Sequence, residues 1–131
     1  MGQSIIKLPK PIYIAGASTV VGHEEFAGPL GKYFDFHDPK DDTFGMDTWE
    51  KAESEMQRMA VGSLLGRSKL KDGDIAALFS GDLLNQCTGS AYGLLSYNIP
   101  FFGLYGACST AAEGLCLGSL YAATVGGRVI S

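Results

Sequence analysis

From Cys108 to Val125 the sequence carries a single charged side chain, Glu113. A helix that is apolar on every side cannot rest on a surface, so it has to be enclosed by protein or by lipid. The stretch approaches the roughly 20 residues that a bilayer span requires. Its content of Ser, Thr, Gly and Ala, the position of Glu113 near the first turn and the Gly126-Gly127 stop fit better with a helix at the centre of a layered protein. Directly before it, Phe101–Tyr105 is a continuous apolar run of strand length. Gly106-Ala107-Cys108-Ser109-Thr110 then makes a sharp strand-to-helix junction.

The remaining elements are read outward from that helix. Lys71-Asp72-Gly73-Asp74 is a turn leading into Ile75–Phe79, an unbroken apolar run of the kind found in strands covered on both faces. Between the two strands, Leu84, Cys87, Ala91, Leu94 and Leu95 recur at helical spacing until Asn98-Ile99-Pro100. Upstream, Asp47 is an N-cap candidate with Glu50 three residues on. Trp49, Ala52, Met56, Met59, Ala60 and Leu64 form an apolar stripe that closes near Gly66. Ile12–Gly16 reads as a first strand, residues 21–46 as a long Gly- and Pro-studded loop with the acidic patch 38–42, and Arg128–Ser131 as the opening of another strand. Alternating strands and helices imply an α/β fold with a mixed sheet around a buried central helix. The 131 residues allow one domain or part of one. The expectation is part of one, because the layers that would cover residues 108–125 are missing from the elements counted here.

Several function classes lose support. A net charge of −4 and a pI near 5.0 give no basic footprint for nucleic acid. Cys87, Cys108 and Cys116 are odd in number and lack metal-ligand spacing, which argues for a reducing compartment and against a zinc site. Met1–Lys10 lacks the features of a secretory signal. No phosphate loop or dinucleotide turn occurs, and no cofactor is expected.

Cys108 is the residue with the strongest chemical potential. At a strand-to-helix junction its sulfur faces helix N–H groups and the positive end of the dipole, a setting that lowers a thiol pKa and supplies oxyanion donors. The plainer reading is an ordinary buried small residue. Cys116 would lie about 12 Å away along a helix, and core filling suffices for it and for Cys87. His23 and His37 both fall in the early loop and read as surface residues without a role.

The Gly106–Thr110 junction resembles the cysteine turn of thiolases and ketoacyl synthases. Further blocks are similar to one family in particular. Val21-Gly22, Gly28-Pro29-Leu30-Gly31, Phe34-Asp35, Trp49-Glu50-Lys51-Ala52-Glu53, Gly81-Asp82-Leu83-Leu84-Asn85-Gln86 and Ile99-Pro100-Phe101 all resemble the stage V sporulation protein AD family. The resemblance runs from about Leu8 to Ser131. It implies the N-terminal portion of a thiolase-like fold of two similar halves. It also implies a non-enzymatic protein of spore-forming Firmicutes that binds dipicolinic acid, with calcium left open as a companion ion, and supports its uptake into the developing spore. Implied partners are other stage V sporulation proteins and a second copy in a homodimer. The implied location is the cytoplasmic side, peripheral to the forespore or spore inner membrane. By the same resemblance, Cys108, Ser109, Asp82, Asn85 and Gln86 line the ligand site, with a cationic or imidazole contact expected beyond residue 131. Two readings stay beside that one: Asp82 as a helix cap, and Asn85 and Gln86 as dimer contacts. The alternative activity is a condensing enzyme with Cys108 as acyl nucleophile.

Overall fold

The computed structural model describes residues 5–131. In chain order the elements are β1 (Val20–Val21), α1 (His23–Ala27), β2 (Phe36–His37), α2 (Trp49–Ser68), β3 (Ile75–Gly81), α3 (Thr88–Gly93), β4 (Phe101–Leu104), α4 (Thr110–Thr124) and β5 (Arg128–Ile130). β3 is the middle strand of a three-stranded sheet ordered β4-β3-β5. Leu78 pairs with Phe101 on one side and with Ile130 on the other. Among the described residues every pairing is parallel, including the small β1-β2 pair, so the sheet is not mixed as the sequence suggested.

The apolar run 75–79 is buried on both faces because a helix covers each. Ile75 and Leu78 pack with Val61 and Leu65 of α2 and with Leu94, Ile99 and Ile130. Ala77 and Phe79 pack with Leu104, Tyr121 of α4 and Val129. Buried Gly114 and Gly118 let α4 approach β5 closely. The outward side of α4 is open among the described residues, with Leu115, Leu117 and Val125 exposed, so the all-apolar helix is only half enclosed. No described helix is long and apolar enough to cross a membrane.

The structure corrects several expectations. Ile12–Gly16 is not a strand: both neighbours of β3 are already β4 and β5, and the run lies outside the sheet with Tyr13 and Ile14 exposed. The 21–46 segment is built rather than featureless. The Asp35 carboxylate accepts hydrogen bonds from the Thr19 amide and hydroxyl, and Asp38 is buried, accepting from the amides of Lys40, Asp41 and Phe44. Backbone N–H donors from Lys40, Phe44 and Asp41 hold the Asp38 carboxyl below its ordinary value despite burial. The N-cap of α2 is Thr48, whose hydroxyl accepts from the Lys51 amide, while Asp47 pairs with the Lys51 ammonium at 2.7 Å. α2 also runs past Gly66 to Ser68 and buries Ala52, Val61 and Leu65, a stripe rotated from the one expected, with Trp49 exposed.

The helix expected over Leu84–Leu95 shrinks to Thr88–Gly93, because Gln86 and Cys87 adopt left-handed backbone with φ of 50° and 65°. Cys87 is therefore its N-cap rather than part of a stripe. β4 is an edge strand, and Phe101 and Phe102 are partly exposed instead of buried. Cys116 is exposed on the open side of α4, which removes its core-filling role.

Candidate functional site

Parallel strands end in register at one edge of the sheet, where the loops that follow them gather. Here the ends of β3 and β4 lie side by side, with Gly81 paired to Leu104. Gly81 has no room for a side chain, since a Cβ there would collide with the Leu104 carbonyl. Beyond these ends opens a cavity of about 470 Å³, walled by Glu53 of α2, Asp82, Leu83, Leu104, Cys108 and Thr110 among others. That volume lies within the range of small-molecule sites, roughly 300 to 1,000 Å³. A larger cavity of about 720 Å³ lies between residues 10–18 and the faces of α2 and α4. Its walls are mainly apolar and include none of Asp82, Asn85, Gln86, Cys108 and Ser109, whereas the smaller cavity holds Asp82 and Cys108.

The Cys108 wall is a strained turn. Ala107 has φ of 49°, a left-handed conformation that costs a non-glycine residue about 1 kcal/mol or more. Gly106, Ser109 and Thr110 hold it in place: the Ser109 hydroxyl donates to the Gly106 carbonyl at 2.6 Å, and the Gly106 amide donates to the Thr110 hydroxyl at 3.2 Å. Residues 107–109 form a short 3-10 turn that runs straight into α4, leaving Cys108 exposed at the cavity beside the start of that helix.

The Asp82 wall is tied down instead. Asp82 is 2% exposed. One carboxylate oxygen accepts from the Asn85 amide at 3.0 Å, and the other accepts from the Ser90 amide and hydroxyl, each at 2.9 Å. Burial by itself would raise its pKa, but the donors from Ser90, Asn85 and Cys87 together bring it below the ordinary 3.8. Asp82 therefore stays charged and fully engaged. Its role reaches beyond capping one helix: it fixes the whole 83–87 turn.

Glu53 faces it across the cavity wall and is in the opposite situation. Its Oε2 is shielded from solvent and has no hydrogen-bond partner. Burial and the neighbouring charge of Asp82 push its carboxyl above the ordinary 4.5, and the nearby Leu83 and Leu84 amides do not offset them. The sequence reading did not single out Glu53. The available signal was its spacing, since it stands three residues before Met56 on the stripe of α2, where a charge is out of place.

Of the residues expected at a ligand site, the cavity brings together Cys108 and Asp82. Ser109 is exposed, with its hydroxyl turned to Gly106. Asn85 and Gln86 are exposed on the 83–87 turn, outside the cavity lining. The histidines are half-buried rather than on the surface, and His37 stacks on Phe26 with ring centroids 3.5 Å apart. Among the described residues, no group of three metal-ligating side chains comes together.

A family model described as Stage V sporulation protein AD (SpoVAD) matches residues 2–130. Stage V sporulation protein AD of Bacillus subtilis (strain 168) is 37% identical over 110 residues, which cover 83% of this chain and 32% of that relative. The chain thus spans about a third of the length of the relative it matches.

The two carboxylates have opposite linkage to pH. Because Asp82's folded value lies below 3.8, its stabilisation is complete above that value and is lost as pH falls through the folded value. Replacing it with Asn should cost about 1.5 to 3 kcal/mol, the worth of hydrogen bonds to a charged group. Urea unfolding of Asp82→Asn against the parent at pH 7 measures this, and an unchanged midpoint contradicts it. Glu53's folded value lies above 4.5, so its charge opposes folding at neutral pH and the penalty lifts as pH falls through that folded value. Glu53→Gln should raise the unfolding midpoint at pH 7, with the gain fading as pH falls through the folded value and gone below about pH 4.5. A loss of stability at pH 7 contradicts this description of Glu53.

Proposed function

This chain belongs to the stage V sporulation protein AD family, and from that premise we propose that it forms part of a non-enzymatic sporulation protein that binds dipicolinic acid and supports its uptake into the developing spore. The observation that carries this reading is the cavity at the joined ends of β3 and β4, closed by the Cys108 turn and the Asp82 loop. A planar pyridine dicarboxylate is small enough for it, and an anion gains from the N–H groups at the start of α4.

Under this proposal the whole protein has a thiolase-like fold of two similar halves, and residues 1–131 make up most of the first. Cys108 lines the ligand site, while Asp82 acts by fixing the turn that carries Asn85 and Gln86. Among the described residues the cavity lining includes no Lys, Arg or His. A cationic or imidazole contact to the ligand's carboxylates is therefore assigned to the rest of the protein. Calcium is a candidate companion ion. The open edge of β4, with Phe101 and Phe102 partly exposed and Cys87 lying against Gly103, supports a homodimer that covers it. The protein would work with other stage V sporulation proteins, peripheral to the forespore or spore inner membrane on its cytoplasmic side.

The exposed position of Cys108 at the cavity favours one second reading, a condensing enzyme with that thiol as acyl nucleophile. One set of measurements separates them. Full-length protein on a surface plasmon resonance chip should bind dipicolinic acid saturably. The same protein incubated with acyl-coenzyme A should gain no acyl mass on the Cys108 peptide. Lack of a resonance response from folded protein sinks the binding reading, and a stable thioester at Cys108 establishes the enzymatic one.

A further inference from the structure

The walls of the candidate cavity that carry Asp82 and Cys108 belong to different connections, the loop after β3 and the turn after β4, and one side chain touches both. Thr110 is the first residue of α4, half-buried and part of the cavity lining. Its hydroxyl accepts from the Gly106 amide at 3.2 Å, which ties down the entry to the Cys108 turn. Its methyl lies against Gly81 at the end of β3, where a Cβ on that glycine would stand 2.7 Å from it. The methyl therefore fills the space that Gly81 leaves open, one residue before Asp82.

A β-branched side chain in a helix has few χ1 rotamers. In Thr110 a single one makes both contacts, so hydroxyl and methyl are placed together. Serine would supply the acceptor without the methyl, and valine the shape without the acceptor. The tether matters because the turn that it holds is strained, with Ala107 at φ of 49°. On its open side Gly106 is hemmed in by the Ser109 hydroxyl and the Glu113 carboxylate, which a Cβ there would meet at 2.6 and 2.7 Å. The turn is thus gripped at Gly106, while Cys108 stays exposed at the cavity.

Resting on the dipicolinic acid reading above, we propose that Thr110 is a positioning residue of the ligand site: it fixes the Cys108 turn against the end of β3 and so sets the spacing between the Cys108 and Asp82 walls. It acts through the turn and not by bonding the ligand.

The test compares Thr110→Val and Thr110→Ser with the parent in full-length protein. Isothermal titration calorimetry with dipicolinic acid gives Kd, and iodoacetamide labelling with peptide mass spectrometry gives the rates at Cys108 and Cys116. Valine removes the acceptor, so its Kd should rise about three- to tenfold, the worth of one hydrogen bond. Serine keeps the acceptor and should fall between valine and the parent. Without ligand, the Cys108 rate in Thr110→Val should rise as the turn loosens, while Cys116, about two helical turns along α4, keeps its parent rate. A residue that merely stabilised α4 would move both thiols together. Equal Kd values in the parent and both variants overturn this inference and leave the ligand assignment standing, as does serine binding no better than valine or a rise shared by Cys108 and Cys116. No binding by the folded parent overturns both.

Discussion

The organisation of the site depends on a buried negative charge. Asp82 stands at the end of the central strand, where burial penalises ionisation, and it remains ionised only because the 83–90 segment bends round to donate to it. That bend requires two consecutive non-glycine residues, Gln86 and Cys87, in left-handed backbone, a cost that the charge-assisted hydrogen bonds offset. The bend also sets where α3 begins. α3 then docks on α2, where the Ser54 hydroxyl donates to the Gly89 carbonyl at 2.8 Å and Gln57 joins Ser90 to Ser80. The placement of Glu53 against Asp82 follows from this docking.

The parts of this arrangement that were legible in the sequence are those governed by burial. Ile75–Phe79 reads as a doubly covered strand and is one, and the Gly106–Thr110 junction turns from strand to helix where expected. The parts that were not legible depend on backbone conformation or on neighbours distant in sequence. Leu84 and Leu95 have helical spacing, yet the left-handed pair at 86–87 interrupts any helix there, and apolar periodicity carries no information about φ. Phe101–Leu104 has the composition of a central strand and lies at an edge, because composition does not give strand order. Asp82 was readable as a cap. Its partnership with Ser90, eight residues on, was not, and without it Glu53 could not be recognised as the carboxylate left unpaired.

Under the proposed ligand reading, the cavity is one half of an anion site. It offers the start of α4 and a soft thiol on one wall and a fixed negative charge on another, with a carboxylate between them that is poorly suited to being ionised. In a family member whose matched relative is about three times as long as the aligned region, complementary positive charge can come from elsewhere in the protein. Under that reading, the walls described here supply orientation.

The central claim is that the Cys108 turn is a wall of the ligand site. Alkylation of Cys108 by iodoacetamide in full-length protein, followed by mass spectrometry of its peptide with and without dipicolinic acid, tests this most directly. Saturating ligand should slow modification of that thiol while leaving exposed Cys116 unaffected. An unchanged rate at Cys108 under saturation would contradict the account.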